Sequence, residues 1–444
     1  MGTPAEEKKA GLEVRATAAK LLAAVVDRKI SLDGILDPMH GNPAYKQLSD
    51  ADRALTRAIL LSALRHLPRI EAALGSLLET PLPEGARALQ HVLAVAAAQI
   101  LYLDVPPHAV VDLAVEQAQR DPRNRRFAKL VNAVLRRLVR EKQAVLDRVA
   151  TVSPAPEWFI ARLNTAYGPE EAERITEAQL TPPSIDLTVK SNADEWAERL
   201  GGRVLPTGSI RLPSFEGSVT ALPGYQEGEW WVQDAAASIP ARLFGDVKGK
   251  RIADLCAAPG GKTAQLVVAG ADVIAVEQSA NRLARLRENL TRLGLQAETV
   301  KGDLFDFRPE TPLDGVLLDA PCSSTGTTRR HPDVLWTKGP EDVEKLAALQ
   351  ARMLDHAVTL VKPGGLIIFS NCSLDPLEGE DLVADLVKRN PDLERVPVDH
   401  GRWPGLQSAI TPQGEFRTTP AMLPAETGSA GGMDGFFACV LRRK

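Results

Sequence analysis

From about residue 231 onward, short apolar runs alternate with helical patterns, and this rhythm constrains the chain more than any other feature. Arg251–Leu255, Val273–Val276, Gly315–Leu318 and Leu366–Phe369 are strand-like, and each ends at a polar or small residue. Between them lie helical patterns, notably Asn281–Leu293 and Asp342–Leu360. Such βαβ alternation predicts an α/β fold with a parallel, doubly wound, Rossmann-like sheet. Ligands in such sheets bind beyond the carboxyl ends of the strands, so the residues just after each strand matter most.

The preceding sequence obeys different rules. Over residues 10–148, apolar residues recur at three- and four-residue spacing, as in Val14-Ala18-Leu21-Leu22-Val25 and Leu89-Val92-Leu93-Ala96-Ile100. That spacing predicts an all-α bundle of six or seven helices, broken at Pro81/Pro83 and Pro106/Pro107. Ser49 followed by Asp52 resembles a helix N-cap. Prolines punctuate residues 150–230, where Ile185–Val189 alternates like a strand and Ala193–Leu200 reads as a helix. The expected organisation is a helical domain over 1–148, a small α+β linker module over 149–230 and the doubly wound domain over 231–444.

Apolar residues make up 44% of the chain and charged residues 25%, which suits a globular chain and excludes a mainly disordered one. No window carries the roughly eighteen uninterrupted apolar residues of a membrane span. Met1–Lys9 is polar and lacks a signal-peptide core. The four cysteines are scattered without a C-x-x-C pair, so neither a disulfide framework nor a metal site is expected, and a reducing cytoplasm is the natural setting. A monomer is expected. The net charge of −4 conceals an asymmetry: residues 1–150 carry 22 Lys and Arg against 17 Asp and Glu. The excess concentrates at Arg120, Arg123, Arg125, Arg126, Lys129, Arg136, Arg137 and Arg140, opposed by Asp121. Such a cluster either grips phosphates or forms a solvated helix face.

The first strand runs into Asp254-Leu255-Cys256-Ala257-Ala258-Pro259-Gly260-Gly261-Lys262-Thr263. A phosphate-cradling P-loop needs glycine where Cys256 stands, and Pro259 removes a backbone donor. The G-x-G-x-x-G pattern is absent too. A nucleoside cofactor whose non-phosphate end lies over the turn remains, and S-adenosylmethionine fits. Glu277 ends the second strand, 23 residues after Asp254, near the spacing at which a carboxylate accepts from two ribose hydroxyls; the alternative is an acid at a helix start. Asp303 follows the third strand, placed to meet an adenine amino group, and Asp319 ends the fourth.

Cys322, in Asp319-Ala320-Pro321-Cys322-Ser323, and Cys372, in Asn371-Cys372-Ser373, each follow a strand of the sheet. Loops at adjacent strand ends share one cleft. Carbon 5 of a pyrimidine is a poor nucleophile, but a thiolate adding to carbon 6 makes the ring an enamine that takes a methyl group at carbon 5. A base must then remove the carbon-5 proton so that the thiolate can leave. Two thiols and Asp319 supply the needed residue types, and spacing alone leaves open which thiol attacks. Cys256 and Cys439 are expected to be small buried apolar residues.

These three motifs together resemble the RNA 5-methylcytosine methyltransferases of the NOL1/NOP2/Sun family. Phe127-Ala128-Lys129-Leu130-Val131-Asn132-Ala133-Val134-Leu135-Arg136 resembles the NusB RNA-binding fold. The resemblance implies a class I methyltransferase domain acting on small-subunit ribosomal RNA. It implies Cys372 as nucleophile, Cys322 in product release and Asp319 between cofactor and base. The turn Cys256–Lys262 would hold the methionine part of the cofactor, with Glu277, Arg282 and Asp303 on its nucleoside side. Two residues depart from the family pattern: Glu277 stands for Asp, and Asn371 for the Thr before the nucleophile. Gly432–Phe437 looks like the family's closing strand. Arg329 and Arg330, in the loop after Cys322, are expected to grip phosphates near the target. Arg123, Arg125, Arg126 and Lys129 are expected to hold RNA farther away, and Trp336 either stacks on a base or packs in a core.

Overall fold

The structure is a computed structural model that describes residues 11–37, 40–214, 217–423, 425 and 430–444. The polar start Met1–Lys9 lies outside the described residues. Packing divides the chain into two compact units. One comprises residues up to Ala161 joined by His331–Gly339; the other comprises Arg162–Arg330 and Pro340–Lys444. This differs from the expected three stretches. The residues after 148 stay with the helices as far as Ala161, and the Pro-rich segment joins the large sheet's unit instead of standing apart.

Among the described residues, the first unit contains seven helices of eight or more residues between Leu12 and Val149, from Leu12–Val26 to Lys142–Val149. Their apolar stripes converge on Leu21, Leu22, Ile59, Leu60, Leu89, Leu93, Leu135 and Leu138. Ser49 caps Asp50–Arg65, its hydroxyl accepting from the Asp52 amide at 3.2 Å and donating to the Asp52 carboxylate at 2.9 Å. Pro107 stands in the first turn of Pro107–Arg120, where its missing N–H costs nothing.

In the second unit, β1 (Asp186–Val189), β2 (Arg203–Val204), β3 (Ile210–Arg211) and β4 (Trp230–Val232) form an antiparallel sheet in the order β2-β3-β1-β4. Its Arg211–Asp186 pair is fully buried, with two charge-assisted hydrogen bonds of 2.7 and 2.8 Å. The Ala235 amide donates to the same carboxylate and ties this sheet to the segment that leads into the helix Ile239–Arg242.

The large sheet contains β5 (Arg251–Leu255), β6 (Asp272–Glu277), β7 (Glu298–Lys301), β8 (Leu313–Asp319), β9 (Val361–Asn371), β10 (Leu393–Arg395), β11 (Phe416–Thr418) and β12 (Phe436–Arg443). Its order is β10-β12-β9-β8-β5-β6-β7, with β11 paired to β12. β5 to β9 are parallel, whereas β12 runs antiparallel to β9 and to β10. The chain leaves β5 toward β6 on one side and returns to β8 on the other, so strand order reverses between β5 and β8. That is where a cleft opens in this fold class. Among the described residues, no helix is long and apolar enough to cross a membrane, and no cluster of three or more His, Cys, Asp or Glu could hold a metal ion.

Candidate active site

The turn after β5 is built for close approach. Cys256 and Gly260 have positive φ, 65° and 102°, and Gly260 opens the helix Gly261–Val268. A Cβ on Gly260 would meet Leu286 Cγ at 3.2 Å. Arg282 donates to Ala258 O at 2.7 Å and Asn289 to Pro259 O at 2.9 Å, so the helix after β6 holds the turn from behind. Thr263 donates to Asp254 at 2.6 Å. Asp254 is fully buried; burial pushes its carboxyl up to about 7, against the opposing Thr263 hydrogen bond.

The expected cofactor residues fall into two groups. Cys256, Ala257, Ala258, Pro259, Gly260, Gly261, Lys262 and Asp319 line a cavity of about 370 Å³ together with Asp254 and Trp231. Glu277, Arg282 and Asp303 are outside that lining. They sit at the neighbouring strand ends, where Gly302 N donates to Glu277 O at 3.2 Å. Glu277 is 3% exposed; one carboxylate oxygen accepts from Ser279 N, while Oε2 has only an ion pair with Arg282 at 3.3 Å and no hydrogen bond. Asp303 accepts from Phe305 N and from Gln278 Nε2.

Register puts Asp319 beside Ser370, and Ser370 Oγ donates to Asp319 Oδ1 at 2.8 Å. Lys262 Nζ donates to Asp319 Oδ2 at 2.8 Å. One step further along these strands, Cys322 Sγ and Cys372 Sγ lie 3.4 Å apart, both half-buried. Hydrogen bonds from the Cys322 thiol and the Ser324 hydroxyl, with Lys262 nearby, hold the Cys372 thiol below its ordinary range despite burial. The same contact, then burial, drives Cys322 well above it. The two thiols are thus shifted in opposite directions, Cys372 downward and Cys322 upward. Cys256 is pushed up to about 12, chiefly by burial, and Cys439 is buried on β12 with its thiol well above the ordinary range.

Several residues that position the cysteines carry no chemical motif. Gly326 N donates to Cys372 O and Gly435 N to Gly326 O, both at 2.9 Å, stitching the two cysteine loops to the start of β12. Glu378 is fully buried; it accepts from Ser323 N at 2.9 Å and from Gln350 Nε2 at 2.8 Å, and takes the Ser323 hydroxyl as well. Asn371, the residue that departs from the family pattern, donates to Glu378 O at 2.6 Å and Gln350 Oε1 at 3.3 Å and accepts from Ser373 N at 3.0 Å. Its amide is thus satisfied at both ends. Glu378 lies seven residues after Asn371, and no pattern flags that partnership in advance.

Two expectations about RNA contacts are corrected. Arg329 is 2% exposed and donates to Gly431 O at 2.7 Å and to Thr181 O and Pro182 O at 3.4 Å. Its guanidinium is spent on carbonyls, and burial lowers its pKa to about 10, so it braces loops and does not face phosphate. Arg330 is committed to Asp434 and, at 3.6 Å, to Asp234. Trp336 packs against the helical core and donates to Leu64 O at 3.0 Å, as in the core-packing alternative. Arg123, Arg125, Arg126 and Lys129 are exposed; the last three border an open groove with Arg120.

Residues 243–442 match the family model described as 16S rRNA methyltransferase RsmB/F, and residues 12–140 match the NusB family. The chain is 33% identical to the ribosomal RNA small subunit methyltransferase B of Cronobacter sakazakii, over 98% of this chain and 100% of that one. The solved structure of PH0851 is 21% identical, with a TM-score of 0.72 over 98% of this chain and 100% of that one. A methyltransferase homolog protein from Pyrococcus horikoshii is 24% identical, with a TM-score of 0.52 over 64% of this chain and 94% of that one. Both share the fold. The resemblance carried by the cysteine motifs and the helical region is thereby borne out: the chain belongs to the 16S rRNA methyltransferase RsmB/F family and carries a NusB-family domain.

Proposed function

We propose that this protein transfers a methyl group from S-adenosylmethionine to carbon 5 of a cytosine in small-subunit ribosomal RNA, through a covalent bond between Cys372 and carbon 6. The 3.4 Å approach of two cysteine sulfurs beside Asp319 carries this reading, because the chemistry needs a thiolate and a second proton-handling group on one ring. The names of the family model and of the relative support the ribosomal substrate. Work on that RNA sets the protein in the cytoplasm.

The residues fit the cofactor. The Cys256–Lys262 turn leaves room for its methionine end. Glu277 Oε2, buried without a hydrogen bond, suits a ribose hydroxyl, and Arg282 and Asp303 flank that side. When bound, S-adenosylmethionine supplies an electrophilic methyl group. The target cytosine must be single-stranded or flipped out for carbons 5 and 6 to be reached. Cys372 thiolate adds to carbon 6 while the ring nitrogen opposite Asp319 takes a proton from solvent, which it gives back on elimination. Carbon 5 of the resulting enamine would then take the methyl group, with the neutral thioether S-adenosylhomocysteine left over. Forming the carbon–sulfur bond consumes the Cys372 charge and leaves Cys322, 3.4 Å away, as the sulfur that can handle a proton. Cys322 then releases its proton to solvent and takes the carbon-5 proton. The Cys372–carbon 6 bond breaks, and the pyrimidine double bond is restored.

Methyl-labelled cofactor and unmodified small-subunit RNA test this directly. Cys372→Ala is expected to abolish both transfer and adduct. Cys322→Ala is expected to accumulate an RNA–protein adduct that survives a denaturing gel. An adduct in Cys372→Ala and none in Cys322→Ala would exchange the two roles; label on another atom would refute the carbon-5 assignment.

A further inference from the structure

Trp231 forms a wall of the 370 Å³ cavity and also of a second one of about 460 Å³. Lys190, Arg242 and Arg402 line the second cavity, and among the described residues no acidic side chain does. Arg242, at the end of the helix Ile239–Arg242, donates to Thr207 O. Burial lowers its pKa and no carboxylate offsets that. Arg402 is exposed; its guanidinium lies over Gly245, where a Cβ would come within 3.3 Å of it. Thr188 on β1 also lines the cavity. It is 2% exposed, and its hydroxyl is buried without a hydrogen-bond partner.

Lysine and arginine heads only donate, and a cavity lined by three of them with an unspent hydroxyl and no acidic side chain favours an anion with several acceptor oxygens. The carbonyl end of the helix Gly261–Val268 borders the cavity at Val268 and Ala269 and opposes an anion. That end carries about half a charge, which three full positive charges outweigh. The volume falls within the roughly 300–1,000 Å³ of small-ligand sites, so it admits a nucleotide and not only a bare phosphate.

We propose that this cavity binds a phosphate of the RNA substrate at a nucleotide away from the target cytosine. The inference rests on the RNA-methyltransferase reading and deepens it: a phosphate contact here registers the strand without reading its sequence.

The full chain with Lys190→Glu and Arg402→Glu is the test, with Lys190→Ala and Arg402→Gln as milder versions. Circular dichroism and binding of S-adenosylhomocysteine check integrity. Fluorescence anisotropy with a small-subunit RNA fragment is expected to show about tenfold weaker binding for the charge reversals at 0.1 M salt. The slope of log affinity against log salt should flatten by about 0.7 for each lost contact. Unchanged affinity and slope in folded variants would overturn the proposal. So would broadening of the phosphorus resonance of adenosine monophosphate or inorganic phosphate by the wild type alone, with RNA affinity untouched, because the site would then serve free nucleotides. Loss of RNA affinity together with transfer to an atom other than carbon 5 would leave this site standing and refute only the proposed chemistry.

Discussion

Cys372 and Cys322 are the same residue type at adjacent strand ends, yet their surroundings shift the two thiols in opposite directions. Ser324, whose hydroxyl lies 3.6 Å from Cys372 Sγ, is part of that difference. Ser324→Ala is expected to move the pH midpoint of adduct formation upward, because the rate rises as the thiolate forms and the variant thiolate has lost a donor. An unchanged pH profile would remove Ser324 from this role. Asp254 behaves in the opposite sense. Its folded-state value of about 7 lies above the ordinary 3.8, so the folded state prefers the protonated form. The associated stability is complete below about pH 4 and is lost as pH rises through 7. At about 1.4 kcal/mol per pKa unit the effect is at most a few kcal/mol. Melting temperatures from pH 5 to pH 8 should fall for the wild type, and this component should be missing in Asp254→Asn.

Strands and turns explain how those residues meet. β8 and β9 are neighbours in register, so residues about fifty apart in sequence end within hydrogen-bonding distance. Gly326 fixes the loops beyond them: a Cβ there would lie 2.0 Å from Gly435 O, a backbone atom that cannot simply rotate away. Gly326→Ala is expected to cost about 1–3 kcal/mol and to suppress methyl transfer more than cofactor binding, since it shifts the cysteine loops and not the turn at Gly260. Chemical denaturation and calorimetry with S-adenosylhomocysteine separate the two effects. Sequence patterns marked β5 and the helix Ala193–Leu200 as the structure has them, because propensity and periodicity are local. Gly326, Gln350 and Glu378 gave no such signal, because their roles arise from contacts between distant segments.

The molecule as a whole divides its charge as it divides its packing. The helical unit carries the exposed Arg123, Arg125, Arg126 and Lys129, outside the unit that holds the cysteines. We expect Arg125→Glu with Arg126→Glu to weaken RNA binding at least tenfold and to flatten the salt slope by about 1.4, while S-adenosylhomocysteine binding stays constant. Titration of RNA at several salt concentrations checks this; an unaltered slope would return the cluster to a solvated helix face. The paired Arg329 and Arg330 illustrate the opposite case. Both looked alike to a charge count, but Arg329 is buried on backbone carbonyls, and the half-buried Arg330 is paired with Asp434 and Asp234.

Alternating apolar runs, small-residue turns and cysteines after strands were enough to indicate a doubly wound sheet and to motivate the cofactor and chemistry proposed above, because each follows from short-range spacing and residue type. Which way each thiol is shifted, which arginines are taken up by internal partners and how the Asn371 amide is satisfied depended on the folded molecule. Protonation and pairing are set by what lies within a few ångströms in space, and those neighbours come from strands and loops far apart along the chain.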